Sequence, residues 1–107
     1  MKKGMIKVSV FYPSGEDITF DSDYYTNKHI PLVKELLGEA IKGASVERGI
    51  SGGAPGSDPV YTAVASLYFE SIEAFDESFA LNAGKIMADI PNFTNSKPLL
   101  QIGKVIF

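Results

Sequence analysis

The segment Val60-Tyr61-Thr62-Ala63-Val64-Ala65-Ser66-Leu67-Tyr68-Phe69 is the clearest β-strand of the chain, because it is rich in β-branched and aromatic residues. Alternation gives it two apolar faces: Tyr61, Ala63, Ala65, Leu67 and Phe69 on one, and Val60, Val64 and Tyr68 on the other. A sheet with two apolar faces needs a cover on each side, since large apolar patches rarely stay exposed. Helices on one face and a second copy of the sheet on the other would supply both covers.

The segments on either side of this strand complete a recognisable order. In chain order, the patterns predict a strand Met5–Tyr12, a helix from Asp21 to about Gly38, a strand Ile41–Ile50, the strand Val60–Phe69, a helix over Ile72–Ile90 between Ser71 and Pro91, and a strand Leu99–Phe107. This β-α-β-β-α-β order predicts an α+β, ferredoxin-like domain over residues 1–107, with a four-stranded antiparallel sheet. The apolar second face predicts a homodimer with face-to-face sheets rather than a monomer with a bare sheet.

Composition excludes several classes of function. The 107 residues carry a net charge of −3 and contain no cysteine. An acidic chain without Lys/Arg clusters is not expected to bind nucleic acid, and the absence of cysteine excludes disulfides and thiolate metal sites. The apolar run after Met1-Lys2-Lys3 is interrupted by Lys7 and Ser9, so we predict neither a signal peptide nor a membrane span. We therefore expect a cytoplasmic protein.

The only histidine lies on a core-facing helical stripe. At helical spacing this stripe contains Tyr25, His29, Leu32, Val33, Leu36 and Leu37. A buried imidazole must either be hydrogen-bonded or line a cavity, because burying an unpaired polar group is costly. Two interpretations follow. His29 and Tyr25 either form a catalytic pair, with a general base and a hydrogen-bonding phenol, or a structural pair that stabilises a kink.

The start of this helix and its proline are also readable. Asp21 is a good N-cap, and Asp23 suits the positive end of the helix dipole, so the two acidic residues do not require a metal. Pro31 lacks an N–H, and its ring crowds the carbonyl of Asn27. The sequence therefore predicts a kink around His29 or a break.

Other motifs carry little weight. Gly49-Ile50-Ser51-Gly52-Gly53 matches the nucleophile-elbow pattern, but another strand follows it instead of the helix that an elbow requires. We interpret the glycine-rich segment as a hairpin connection that could act as a lid. One histidine and no cysteine are too few ligands for zinc, although a single histidine would suffice as an axial haem ligand. No nicotinamide or flavin fingerprint occurs, so we expect no cofactor.

Several separated segments, in the right order, resemble the EthD family, which is named from ethyl tert-butyl ether degradation. They are Tyr12-Pro13, Asp21-Ser22-Asp23-Tyr24-Tyr25-Thr26-Asn27-Lys28-His29-Ile30-Pro31-Leu32, Gly52-Gly53-Ala54-Pro55-Gly56 and Met87-Ala88-Asp89-Ile90-Pro91-Asn92-Phe93-Thr94. Phe93 departs from the pattern, since related sequences can carry tyrosine there. The resemblance implies a dimeric α+β barrel. It also implies a role in oxidative ether breakdown beside a haem monooxygenase system, often labelled as oxidoreductase.

The residues and the resemblance together give one functional expectation. It is a small dimeric protein of oxidative catabolism that binds a small apolar or aromatic ligand bearing a carbonyl, phenol or ether oxygen between helices and sheet. His29 would be the general base or hydrogen-bond donor, Tyr25 would orient the ligand, and the wall candidates are Phe11, Phe69 and Phe93. The alternatives are a non-catalytic accessory protein that serves an oxygenase, and a cofactor-free isomerase, decarboxylase or monooxygenase, because the shared fold does not choose among them.

Overall fold

The strands and helices follow one another along the chain in the predicted order. The computed structural model describes residues 2–107. Its elements are β1 Ile6–Pro13, α1 Ser22–Tyr24, a π-helical turn Tyr25–His29, α2 Ile30–Leu37, β2 Gly43–Arg48, β3 Tyr61–Phe69, α3 Ile72–Ala80, α4 Ala83–Asp89 and β4 Leu99–Lys104. Short 3₁₀ turns at Gly38–Ala40 and Ile90–Asn92 follow α2 and α4. Within residues 2–107, no helix combines the length and the apolar composition needed to cross a membrane.

The four strands form one antiparallel sheet in the order β2-β3-β1-β4. The two strands with the most continuous apolar runs, β1 and β3, lie at its centre. Two helical arms cover one face: the first is α1, the π-helical turn and α2, and the second is α3 and α4. On this face, Val8 and Leu67 of the sheet pack with Val33, Phe75 and Ile86 of the helices. The predicted α+β, ferredoxin-like fold with a four-stranded antiparallel sheet is therefore confirmed.

The first helical arm contains the π-helical turn in place of the predicted kink. The side chain of Asp21 accepts a hydrogen bond from the Tyr24 amide at 3.0 Å, which confirms it as the N-cap. The Ile30 amide then bonds to the Tyr25 carbonyl, five residues earlier, and Pro31 falls in the first turn of α2. A widened turn accommodates a proline ring that would otherwise crowd the preceding turn. The helix therefore continues through Pro31.

The second arm is two helices and not the single helix that the periodicity predicted. Ser71 caps α3, as expected, by accepting from the Ala74 amide at 3.1 Å. The chain then turns at Leu81 and Asn82 before α4 begins. The Asn82 side-chain amide donates to the Leu36 carbonyl at 3.0 Å. This contact joins the turn to the end of α2, and no pattern of apolar spacing could have predicted it.

The sheet face without helices is mixed in character. Along it, the register places Ser66 between Ser45 and Ser9, with Gln101 beyond, so a polar row crosses the sheet. Ser9 and Ser66 are only 9% and 6% exposed, so the larger side chains on both sides of this row shield its centre.

The ends of two strands, β3 and β4, differ from the predicted ones. A register shift at Pro13 places the Tyr61 ring beside Phe11, at 4.9 Å between centroids, so Tyr61 leaves the face shared by Ala63 and Ala65. The strand predicted to run to Phe107 ends at Lys104, the residue that pairs with the first residue of β1. Val105 still forms backbone hydrogen bonds with Gly4 and Met5, and Phe107 at the end is exposed.

Candidate functional site

A cavity of about 50 Å³ lies between the sheet and the helical arms. Its floor is formed by β1 and β3, including Val8, Val10 and Ala65, and its roof by helical residues including Val33 and Ile86. Ala65 is buried at the centre of the sheet, where a larger side chain would fill this space. Because one water needs about 10–15 Å³ and a cavity that accepts benzene measures about 150 Å³, this space holds a few non-hydrogen atoms, and a ring enters only if a lining side chain moves.

Two residues of the cavity lining are well exposed to solvent. Met87 and Leu100 are 44% and 43% exposed, respectively. Methionine is flexible and unbranched, so Met87 can change rotamer without disturbing its helix. Their side of the lining provides a route from solvent to the interior.

His29 projects from the π-helical turn into the lining of the cavity and is 3% exposed. Its ring stacks on Tyr25, at 5.5 Å between centroids and 15° between planes, and contacts Phe93 at 4.6 Å. Nδ1 lies 2.9 Å from Oδ2 of Asp89. Nε2 makes no hydrogen bond to the described residues, although every fully buried side-chain nitrogen or oxygen among them has a partner. Nε2 therefore has no partner among them and is not fully buried, and the ring that carries it belongs to the cavity lining.

Asp89 anchors His29 through a small hydrogen-bond network. The Tyr24 hydroxyl donates to Oδ1 of Asp89 at 2.7 Å, and the Asn92 side-chain amide donates to the same oxygen at 3.0 Å. Oδ2 remains for His29. Burial acts to raise the pKa of the Asp89 carboxyl, but the bonds from Tyr24, Asn92 and His29 outweigh it, so this pKa is lowered. Asp89 is therefore a carboxylate at neutral pH.

This network fixes the protonation of the imidazole. Burial lowers the pKa of His29, and the hydrogen bond and charge of Asp89 only partly oppose this, so the ring is neutral near pH 7. A carboxylate can only accept, so the single ring proton belongs on Nδ1, and Nε2 carries the lone pair. The group facing the cavity can accept a hydrogen bond or a proton.

Two phenols complete the polar lining of the cavity. Tyr12 and Tyr25 are 2% and 3% exposed, and their rings meet edge to face at 5.7 Å. Burial raises the pKa of Tyr12 to about 12 and also raises that of Tyr25. Both phenols remain neutral near pH 7 and can donate to an oxygen atom.

The structure brings together only part of the predicted site. His29 and Tyr25 line the cavity, and Phe93 packs against the imidazole from behind. Phe11 lies on the opposite face of the sheet beside Tyr61. Phe69 lies behind the lining residue Phe75, on which it packs at 5.2 Å between ring centroids. Neither Phe11 nor Phe69 reaches the cavity lining.

The sequence analysis missed Asp89 and Tyr24 as partners of the histidine. Tyr24 is one residue around the helix from Tyr25, yet the turn directs its hydroxyl to Asp89. Asp89 follows Ile86 by three residues and so lies beside the buried stripe of α4. The sequence feature that could have identified Asp89 is an acidic residue next to an apolar stripe. No group of three His, Cys, Asp or Glu side chains suited to a metal occurs in the described part of the chain.

The lowered pKa of His29 makes stability depend on pH. Below about pH 6.5 the unfolded chain binds a proton that the folded chain resists. The free energy of unfolding should therefore fall as the pH drops from about 7 to about 5.5, by at most about 1.4 kcal/mol per pH unit. The lowered pKa of Asp89 adds a second loss only below about pH 4.

Urea denaturation across this range measures the effect. His29→Gln is the matched control, because His29 is the only histidine and its removal should flatten the curve between about pH 7 and about pH 5.5. A wild-type curve that is equally flat would contradict the buried, neutral imidazole.

Comparisons with known proteins agree with the fold and the motifs. An EthD domain model matches residues 15–97. An uncharacterized 11.0 kDa protein in the thcB-thcC intergenic region of Rhodococcus erythropolis is 32% identical over 95 residues, covering 85% of each chain. An EthD-like protein of Ralstonia eutropha JMP134 is 39% identical, with a TM-score of 0.92 over 99% of this chain and 96% of that one.

A more distant structure shares the fold. It is an EthD family protein of Bacillus halodurans C-125, with 22% identity and a TM-score of 0.73, covering 95% of this chain and 99% of that chain. The family match spans most of the chain, including the π-helical turn and Asp89. The chain therefore belongs to the EthD family.

Proposed function

We propose that the protein binds a small apolar or aromatic oxygenated compound in the helix–sheet cavity and acts in the oxidative catabolism of such compounds. One observation carries the proposal: Nε2 of His29 has no hydrogen-bond partner among the described residues and the ring lines a largely apolar cavity, while Nδ1 is anchored to Asp89. A ligand that pairs with Nε2 and shields it from water would form a hydrogen bond in a low-dielectric site, where such bonds are strong. Membership of the EthD family supports a catabolic role.

The proposed chemistry is general base catalysis by His29. Nε2 would accept a proton from an O–H or acidified C–H group, leaving an imidazolium and an oxyanion or enolate of equal and opposite charge. The Asp89 carboxylate, 2.9 Å from Nδ1, would stabilise the imidazolium. The neutral phenols of Tyr25 and Tyr12 would donate hydrogen bonds to the developing negative charge. Because Nε2 carries a lone pair, this arrangement favours the general-base role of His29 over its predicted role as a hydrogen-bond donor.

A second candidate is a non-catalytic accessory protein that carries the compound to an oxygenase. The near absence of polar groups around the cavity favours this reading, because binding needs only one hydrogen bond and apolar contacts. Incubating the purified protein with small neutral aromatic compounds, without added cofactor, separates the candidates. A changed compound supports the enzyme, whereas a compound that binds and is recovered unchanged supports the carrier. A protein that binds none of them contradicts both.

We also propose that the protein is a homodimer in which the open sheet faces pack together. Phe11, Tyr61 and Val64 form a partly exposed apolar group on this face, and Leu99 beside them is 56% exposed. The serines of the polar row, Ser9, Ser45 and Ser66, lie next to this group. Their side chains are small, so they permit close approach of a second sheet. Burial of these apolar residues would stabilise the pair.

Val64→Lys should convert the dimer to monomers in analytical ultracentrifugation. A lysine at the centre of the interface would bury a charge, whereas in the monomer it can pair with Glu47, its neighbour across β2 and β3. Ile50→Lys, at a loop position that is 92% exposed, is the control and should leave the dimer intact. A wild-type protein that sediments as a monomer at high concentration would contradict the proposal.

A further inference from the structure

The hydrogen-bond network around Asp89 restricts the kind of oxygen that the cavity can recognise. Asp89 accepts from Nδ1 of His29, which leaves the lone pair on Nε2 facing the cavity. A lone pair can pair only with a donor. An ether or carbonyl oxygen has no hydrogen to give, so it would leave Nε2 unpaired as a hydrocarbon does.

The rest of the cavity argues for a neutral ligand. No lysine or arginine contributes to its lining, so an anion would be buried without a counter-charge. The Tyr12 and Tyr25 hydroxyls also belong to the lining and can donate to a ligand oxygen, so a ligand that donates to Nε2 can at the same time accept from a phenol. A hydroxyl group can give its own hydrogen to Nε2 and still accept one. A hydroxyl is the smallest neutral group that can both donate to Nε2 and accept a hydrogen bond.

We propose that the ligand of this site is a neutral hydroxyl compound, such as a phenol whose ring displaces Met87, and that Asp89 is the positioning residue that imposes this choice. This inference rests on the proposed function, since it names the substrate class of the same cavity. It narrows the set of carbonyl, phenol and ether oxygens that the sequence left open. Ethers are then not bound through His29.

The network also dictates how the choice can be inverted. Oδ1 of Asp89 receives two donors, from Tyr24 and Asn92, and the Asn92 amide nitrogen cannot act as an acceptor. In Asp89→Asn, the side-chain oxygen should therefore take the Oδ1 position, and the NH₂ group should face Nδ1 of His29. Nδ1 then becomes an acceptor, and the ring hydrogen moves to Nε2. The cavity would change from requiring a donor to requiring an acceptor.

Nitrogen-15 NMR tests this directly, because the chain has a single histidine and its ring signals need no assignment by mutation. The wild-type ring should give a pyrrole-like Nδ1 and a pyridine-like Nε2, and Asp89→Asn should exchange the two. Asp76→Asn, on the exposed side of α3, changes the net charge equally and should leave both signals in place. A merely structural role for Asp89 would not exchange them.

Binding measurements with two matched pairs of probes test the ligand class. Phenol should bind the wild-type protein roughly tenfold or more tightly than toluene, which is nearly the same size but cannot donate. Anisole should gain less over ethylbenzene than phenol gains over toluene, because its oxygen cannot pair with Nε2. In Asp89→Asn, anisole should gain over ethylbenzene, because Nε2–H can now donate to its oxygen, and the preference for phenol over toluene should shrink.

Each outcome is decisive. Equal binding of phenol and toluene, or a wild-type Nε2 that carries the hydrogen, would overturn the hydroxyl requirement while leaving a ligand cavity. A wild-type protein that binds none of the four probes would overturn the cavity as a ligand site, and the proposed function with it. Circular dichroism and thermal unfolding of Asp89→Asn establish that the variant is folded before its binding is compared.

Discussion

His29→Asn is expected to lower turnover by about 10²–10⁴-fold, the usual contribution of a general base. Asparagine is short, so its amide nitrogen can take the place of Nδ1 and still donate to Asp89, but it has no atom at the position of Nε2. The variant therefore removes the group that faces the cavity and keeps the bond that holds the arm. It should also lose the preference for phenol over toluene, which can be measured before the natural substrate is known.

The stability of the same variant separates a functional histidine from a structural one. If His29 and Tyr25 only stabilise the helical arm, changes at His29 should cost about 1–3 kcal/mol of unfolding free energy and should not affect binding. Lys28→Ala, at the exposed neighbouring position, is the control for both measurements. Unchanged binding and turnover in a folded His29→Asn protein would contradict the catalytic role.

Phe69→Ala should have the largest effect on stability, a loss of about 3–5 kcal/mol in the free energy of unfolding. Phe69 has no exposed surface and packs edge-on against Phe75, and Phe69 itself is not a lining residue of the cavity. Truncation would leave a void that the rigid centre of the sheet cannot close. Urea denaturation of the variant beside wild type gives the difference.

Phe107→Ala is the matched control for this substitution, because Phe107 is fully exposed in the single chain and should change stability by no more than about 0.5 kcal/mol. The ring signals of His29 should also be unchanged in folded Phe69→Ala, since the two residues lie in separate clusters. A loss below about 1 kcal/mol would show that this end of the core is packed loosely, against the observed burial.

The fold was predictable because local patterns and tertiary structure agree. The alternation in β3, the caps Asp21 and Ser71, and the buried stripe through Tyr25, His29, Val33 and Leu37 all appear in the structure as expected. Each depends on periodicity or on a single hydrogen bond near in sequence. Such features can be read without knowing how distant segments meet.

The parts that could not be predicted depend on contacts between distant segments. Asn82 breaks the second arm by bonding to Leu36, 46 residues away, and Asp89 meets His29 across 60 residues. Tyr61 changes face because of a register shift opposite Pro13. The cavity itself arises where small Ala65 faces the helical arms, and its dimensions cannot be read from spacing.

The position of His29 in the site was therefore predictable, whereas its hydrogen-bond partners were not. The position of His29 on an apolar stripe identified the residue, while its protonation depends on Asp89 and on the two donors that hold it. Without that network the sequence left donor and base roles open. Hydrogen-bond partners, more than the identity of the imidazole, therefore determine what the cavity can bind.

The most direct test of the account is a high-resolution crystal structure of the protein grown with phenol. It should show the ring in the helix–sheet cavity with its oxygen within hydrogen-bonding distance of Nε2 of His29, while Nδ1 remains on Asp89. Side chains closed over the space beside His29, or an imidazole turned toward bulk water, would contradict it.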